Sequence, residues 1–538
     1  MVDISSSNPS PENTAGEEKP KSDSDAIQKA TTHTSVDHEA ELKTGHSVSE
    51  LDESELFLQR HGIPRSRLAE ILDAADDDTE RKLRKRIDWT LMPLLCGTYM
   101  LQFIDKQALS YSAVFDLFPS TGLTAYQYSW MASIFYFAYL FSEWPSSYLA
   151  QKLPTAKVIA AFVFCWGAVM LLTTACTEFK GLATCRFLLG VFEAVITPAF
   201  MLIIAQWYKR EEQPARAGLF FCFNGIGSMI GGILFYGVGQ ASGWEIWRII
   251  YALCGGLTVV WSLVLWFCLP DSIFTAKRFS IEERTMLVAR TLANQTGTMN
   301  RTIKMHQIIE VFQDPQIWLL FFFVLLNAVI NGGIAGFATL IVKGFVKDPL
   351  LTTAYGVPWG AINAVFNFTG PYLASRFTNV RTYVMIIWLL PTLTAVCLFW
   401  QLSRDNHGGL LAGYYICASF VGSMVVALQM PANNVGGYTK RVTATAFVFL
   451  AYCAGNIIGP QAFIGREAPI YQTGCIVMIA CCVGQIIIAV LLRQLLISRN
   501  KRRDAAAAAA VGEDLHNDES EALQDLTDFE NPKFRYLY

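Results

Sequence analysis

Charge is what this 538-residue chain has least of: Asp, Glu, Lys and Arg make up 16% of it, against about a quarter of a soluble domain. With 53% apolar residues and a mean hydropathy of +0.33, that scarcity argues against a string of soluble domains and for a membrane protein. No C-x-x-C pair and no H-E-x-x-H helix occurs, and the seven His are scattered. No metal centre and no cofactor is therefore expected. The 13 cysteines lack paired spacing and follow no secretory signal, so they read as small apolar packing residues. The net charge of −3 gives no reason to expect a nucleic-acid partner, because positive residues in the loops are balanced by an acidic, Ser-rich head. Without a nucleophile, metal cluster or nucleotide loop, an enzyme is not expected.

What is present is a series of apolar runs long enough to cross a bilayer, which takes roughly 20 helical residues. Twelve are expected, at about 87–111, 126–150, 156–176, 182–206, 215–240, 247–269, 316–342, 354–376, 382–402, 409–431, 443–465 and 471–496. A polar, basic gap parts six from six. The fold expected is an all-α membrane protein of 12 transmembrane helices in two six-helix bundles. Its domains would be a disordered tail at 1–80, a bundle at 81–269, a central loop at 270–315, a second bundle at 316–497 and a tail at 498–538. Within the head a short helix is expected around residues 54–74.

Lys and Arg concentrate on the side that holds both termini, from Arg81–Arg86 through Lys152, Lys157, Lys209 and Arg216 to Lys440 and Arg499–Arg503. That bias puts both ends in the cytosol. The sequons at Asn294, Asn300 and Asn367 would then stay unglycosylated. The glycines Gly225, Gly227, Gly231 and Gly232 have no strand before them and read as helix-packing positions.

The charges inside the spans carry the chemistry. Arg186 and Glu193 lie seven residues apart in the fourth span, about two turns, and so project from one face with Gly190 between them. A charge near the centre of a membrane helix costs about 2.5 to 3.5 kcal/mol, so that face cannot look at lipid. The choice is between a structural Arg/Glu pair and an ion and substrate site. Counting at 1.5 Å per residue from the terminal side places Asp105 about 27 Å up, Arg186 about 31 Å and Glu193 about 21 Å. With Lys106 they form four charges at one level. A carboxylate beside a fixed cation stays ionised until a substrate anion competes for that cation, so proton and anion load together. In the second half the polar groups are amides: Asn327 with Asn331, Asn363 with Asn367, and Asn456 one turn from Tyr452. Interhelical hydrogen bonding and substrate binding are both open to them.

Several motifs carry a family likeness: Ile87-Asp88-Trp89, Asp105-Lys106-Gln107-Ala108-Leu109, Arg186 to Ala194, Trp207-Tyr208-Lys209-Arg210-Glu211, Trp247-Arg248, Leu269-Pro270-Asp271-Ser272, Asn434 to Arg441, Gly455 to Pro460 and Asp528 to Tyr536. Over about residues 86–538 the chain resembles the major facilitator superfamily, and within it the fungal anion:cation symporters typified by the allantoate permease. The resemblance implies two bundles closing alternately over a midplane site, with Asp105 and Glu193 as proton carriers and Lys106 and Arg186 binding the anion. It also implies that Tyr139 and Asn224 line the cavity, and Asn327, Asn331 and Asn456 complete the expected substrate site. Many relatives have Arg in place of Lys106. The acidic residue of the superfamily's gating loop is absent after Ser147 and at Ser375-Arg376, while Lys152, Lys157, Arg376 and Arg381 keep the loop basic. The partners expected are protons, the bilayer and a small organic anion such as allantoate, ureidosuccinate, a carboxylate vitamin or a short peptide. A monomer in the plasma or vacuolar membrane is expected. A transporter-like nutrient receptor signalling through its tails is the alternative.

Overall fold

The computed structural model describes residues 57–58, 60–64, 71, 76–209, 212–276, 278–293, 304–509, 526–532 and 534–538. The chain divides into units at 1–69 and 70–538. Of the first, a turn is described in which the Ile63 N–H donates to Leu58 O at 2.9 Å; the expected disordered head and most of the expected helix at 54–74 lie outside the described residues.

The second unit is helical throughout, with no strand among the described residues. Its first half holds α1 (Asp77–Val114), α2 (Leu117–Thr121), α3 (Ala125–Lys152), α4 (Thr155–Thr173), α5 (Phe179–Glu193), α6 (Ile196–Trp207), α7 (Gln213–Val238) and α8 (Ile246–Cys268). Two short helices, α9 (Ile281–Ala293) and α10 (Met305–Gln313), stand in the central segment. The second half holds α11 (Pro315–Val346), α12 (Pro349–Arg376), α13 (Arg381–Gln401), α14 (His407–Cys417), α15 (Phe420–Asn434), α16 (Tyr438–Ile458) and α17 (Gln472–Ala509). Helix starts follow local chemistry. Thr124 and Gln127 form a reciprocal capping box on α3, and Asp314 and Asp348 each accept a backbone N–H at the head of a helix whose first residue is proline.

Counting α5 with α6 and α14 with α15 as single crossings gives six spans in each half. Nine crossings are apolar enough by composition alone to span a membrane. The other three, α1, α3 and α12, all stand at the seam between the bundles, where α1 meets α11, α3 meets α16 and α7 meets α12. Their polar faces are turned to protein instead of lipid, which lowers their hydropathy. Small residues close the seam: a Cβ on Gly225 would lie 2.5 Å from that of Ala364 on α12, the close helix approach expected of these glycines.

The expected spans need adjustment at three places. The first helix starts about ten residues earlier, so the basic cluster Arg81–Arg86 is helical; Arg84 faces Glu212 at 3.5 Å and Arg86 pairs with Glu283. The fourth crossing is not continuous: α5 stops at Glu193 and α6 starts at Ile196. Pro198 has no N–H for the Ala194 carbonyl, and its ring crowds that carbonyl. The tenth crossing is interrupted as well, at Ala418-Ser419, where Thr392 Oγ1 donates to Cys417 O at 3.1 Å.

Both described ends of the long unit lie at one face of the bundle, here the terminal end. The seam is bonded in the half away from it: Tyr128 Oη donates to Gly336 O at 2.7 Å, Ser133 Oγ to Ile457 O at 2.8 Å and Thr339 Oγ1 to Ser110 O at 3.2 Å, while Lys343 Nζ reaches Val114 O.

Candidate functional site

Each half has an interrupted helix at the matching place, and the two breaks differ in chemistry. At the second, Asn327 donates to Gln485 Oε1 at 2.8 Å and towards Phe420 O at 3.4 Å, and Thr392 and Ser419 pair at 2.8 Å. That break is closed by neutral side chains. The first ends in an acid.

Glu193, at the last turn of α5, is 2% exposed. It accepts from Gln102 Nε2 at 2.9 Å, and Lys106 Nζ approaches the same oxygen at 3.5 Å. Gln102 and Lys106 are one turn apart on α1, which aims both at the break. The Lys106 ammonium also lies 5.1 Å from the ring centre of Phe135 and 5.4 Å from that of Tyr136, positions that favour a cation. Its side chain keeps 26% exposure against 3% for its partner acid. Asp105, the next residue round α1, turns away to α8: Thr258 Oγ1 donates to its Oδ2 at 2.8 Å, and its Oδ1 is buried without a hydrogen-bond partner.

Arg186 is the exception among these four. It is 5% exposed, its Nε is buried without a partner, and no carboxylate of the described residues stands within 4.0 Å of it. Asp105, Tyr128 and Tyr251 surround it at electrostatic range. A buried cation left unpaired costs several kcal/mol. The structural Arg186/Glu193 pair does not form; the acid belongs to Lys106. Gly190, between them, lets α3 close on α5, since a Cβ there would lie 2.2 Å from Phe135 O.

Of the other expected site residues, Tyr139 is buried with its ring 6.0 Å from Phe135 and 6.0 Å from Phe449 across the seam. Asn224 is half-buried, one turn from Ser228, which accepts from Gln107 of α1 at 2.8 Å. Asn331 donates to Asn456 Oδ1 at 2.8 Å, and Asn456 to Tyr452 O at 2.8 Å; Tyr452 meets Tyr136 edge-on at 6.2 Å. These two amides therefore stand near the aromatic wall around Lys106. Asn327 does not join them: fully buried and bonded to Gln485, it sits in the second bundle's own core. Asn363 and Asn367 bond each other at 2.6 Å.

At this site sequence reasoning missed Gln102 and Thr258, and outside it Glu143, which had a signal as an acid within an apolar run. The basic gate residues stay within their halves: Lys157 reaches Trp266 O, and the backbone N–H of Arg381 donates to Tyr538 O at 3.2 Å. Instead, the terminal end carries two ionic clusters. In the first half Arg216 pairs with Asp88 at 3.0 Å and Arg290 of α9 with Glu212 at 2.9 Å. In the second, fully buried Lys440 meets Asp528 at 2.7 Å and Glu310 at 3.1 Å. The sequons at Asn294 and Asn300 lie outside the described residues.

The profile of the Major Facilitator Superfamily matches residues 95–460. The allantoate permease of Saccharomyces cerevisiae is 34% identical over 474 residues, which cover 85% of this chain and 87% of that protein. The thiamine pathway transporter of the same yeast is 28% identical over 506 residues, 91% and 95% of the two chains. Among solved structures, a bacterial homologue of the human lysosomal transporter Spinster, inward-facing and unoccupied, aligns with a TM-score of 0.59 at 17% identity over 75% of this chain and 95% of its own. A D-xylose-proton symporter aligns at 0.57 with 11% identity over 75% and 97%. At these identities the structural likeness is one of fold.

Proposed function

Because the chain belongs to the major facilitator superfamily, in its allantoate permease-like family, and is a multi-pass membrane transporter, we propose that it imports a small organic anion together with protons by alternating access. The observation that carries this reading is Arg186, a buried guanidinium with an orphaned Nε and, among the described residues, no carboxylate within ion-pair distance. A carboxylate is the group that matches it, since a planar fork and a carboxylate pair through two parallel hydrogen bonds. Allantoate, ureidosuccinate, a carboxylate vitamin or a short peptide has that group, and one relative is named for allantoate.

Coupling follows from the shared cation. Lys106 neutralises Glu193 at 3.5 Å. A substrate carboxylate arriving between Lys106 and Arg186 draws that charge away, and Glu193, dry and short of a cation, takes a proton. Asp105 Oδ1, buried without a partner, is a second atom on which a proton can sit. Tyr139, Asn224, Asn331 and Asn456 would contact the rest of the substrate; Asn327 serves the helix break. The bundles at 81–269 and 316–497 would rock about the seam, with the central loop at 270–315 and the tails at 1–80 and 498–538 in the cytosol, following the Lys/Arg bias. The terminal end is then the inner one. We place the protein, as a monomer, in the plasma membrane.

The test is uptake of a panel of labelled anions by yeast expressing the transporter at two external pH values. Faster accumulation of a carboxylate at the lower pH, abolished in Glu193→Gln, is the expected result. Unchanged uphill uptake by that variant would refute the assignment.

A further inference from the structure

One acid inside the spans has no part in the site just described. Glu143 of α3 is half-buried, and none of the described hydrogen bonds or ion pairs engages its carboxylate. It is not on the lipid face of its helix, which Phe141, Trp144 and Tyr148 mark with 73%, 78% and 55% exposure. Counting back along α3, Glu143 shares a face with Tyr139 and Tyr136, the residues that meet Phe449 and Tyr452 of α16 across the seam. The groups within electrostatic range are Tyr139 on its own helix and Cys453 on α16. A carboxylate at that depth costs about 2.5 to 3.5 kcal/mol unless it is used or paired.

It stands seven residues beyond Tyr136, about 10 Å nearer the terminal end than the Lys106–Glu193 pair at 1.5 Å per residue. Hydroxyl groups fill that interval. Tyr99 lies within electrostatic range of Glu193 and shares a 2.7 Å hydrogen bond with Thr197, the residue one turn past Glu193 on the far side of the helix break. The Tyr139 hydroxyl is also within electrostatic range of Thr197, and Glu143 is the next turn on from Tyr139. The sequence of groups is Glu193, Tyr99, Thr197, Tyr139, Glu143.

We propose that Glu143 is the terminal-side station of a proton path: it receives the proton that Glu193 releases, relayed through the hydroxyls of Tyr99, Thr197 and Tyr139, and passes it to water at the terminal end. Each hydroxyl accepts one proton and gives up another, so the step moves one proton from carboxyl to carboxylate with no change in oxidation state. The inference rests on the proton-coupled reading of Glu193. It adds that the return of Glu193 to its ionised form is limited by a relay and not by direct contact with water. A packing role for Glu143 would predict no kinetic link between the two acids.

The experiment needs no substrate. The full-length transporter is reconstituted in lipid vesicles, the medium is stepped from about pH 8 to about pH 3 and back, spanning the ordinary carboxyl range of about 4, and carboxyl protonation is followed by time-resolved infrared spectroscopy. Glu193→Gln identifies the Glu193 band and Glu143→Gln the Glu143 band. In Glu143→Gln the Glu193 band is expected to keep its final amplitude, which shows a folded site. It should respond at least about tenfold more slowly, since a positioned acid–base group contributes about 10²- to 10⁴-fold. Thr197→Val should slow the same band, and Glu143→Asp should recover much of the rate. A Glu193 band whose rate is unchanged in Glu143→Gln overturns the relay alone. Absence of any band sensitive to Glu193→Gln in the unmodified transporter overturns the coupling reading, and the relay with it.

Discussion

Arg186 and Glu193 share a helix face, yet their environments differ: the acid is held by Gln102 and Lys106, the base by nothing within ion-pair distance. Arg186→Ala removes a charge-assisted contact of about 1.5 to 3 kcal/mol, so KM for the transported anion should rise about 10- to 100-fold, measured as concentration-dependent uptake at fixed pH. Arg186→Lys should recover part of it only, because a point charge replaces a fork. The sequence marked these side chains by the cost of placing charge in lipid, a signal that needs no tertiary information. The same rule applied to the second span would have found Glu143. It could not assign partners: that Asp105 bonds Thr258 on α8 while its neighbour Lys106 reaches α5 depends on how α1 is rotated among its neighbours. Nor could it separate Asn327 from Asn331, one turn apart on α11, which lies between α16 and α17 and gives one amide to each.

At the scale of elements, the break after Glu193 was written in Pro198, and continuous hydropathy hid it. The break at Ala418-Ser419 has no proline; Thr392 takes up the Cys417 carbonyl there, a tertiary contact no local pattern announces. Gly190 is the tightest element contact at the site. Gly190→Ala should force α3 and α5 apart and lower stability by about 1 to 3 kcal/mol, seen as an earlier melting transition in detergent. The closing segment is also an element, where the sequence suggested only a tail. Asp528 and Tyr536 are buried, Tyr536 donates to Asp528 at 2.7 Å, and Asn434 holds Leu537 through two 2.8 and 2.7 Å bonds. Lys440→Ala would leave the fully buried Asp528 without the cation that meets it at 2.7 Å, while Asp314 keeps Arg499 at 2.7 Å. Breaking such a cluster costs about 3 to 5 kcal/mol; fluorescence-detected thermal unfolding of the purified variant should show the loss.

For the whole molecule, the halves are joined away from the termini by hydrogen bonds, one of them from Lys343 to a backbone carbonyl, and by glycine contacts, while the ionic clusters at the terminal end each stay within one half and the central helices docked on it. One of these clusters should register pH. Lys209 donates to Glu80 and, with Arg290 and Arg84 nearby, holds its carboxyl below the ordinary value of 4.5. A depressed acid contributes stability above that ordinary value and loses it as pH falls through the folded one. Thermal stability should therefore drop on acidification below about pH 4.5, and Glu80→Gln should flatten that part of the profile. The central claim, that an anion and a proton load together because both answer to the cation shared by Glu193, is tested most directly by one measurement: the proton-to-anion flux ratio in vesicles carrying the transporter, with Glu193→Gln beside it. The account predicts that protons enter with the anion in the unmodified transporter and that the variant moves the anion only downhill, with no proton; protons accompanying the anion through the Glu193→Gln variant at an undiminished ratio would contradict it.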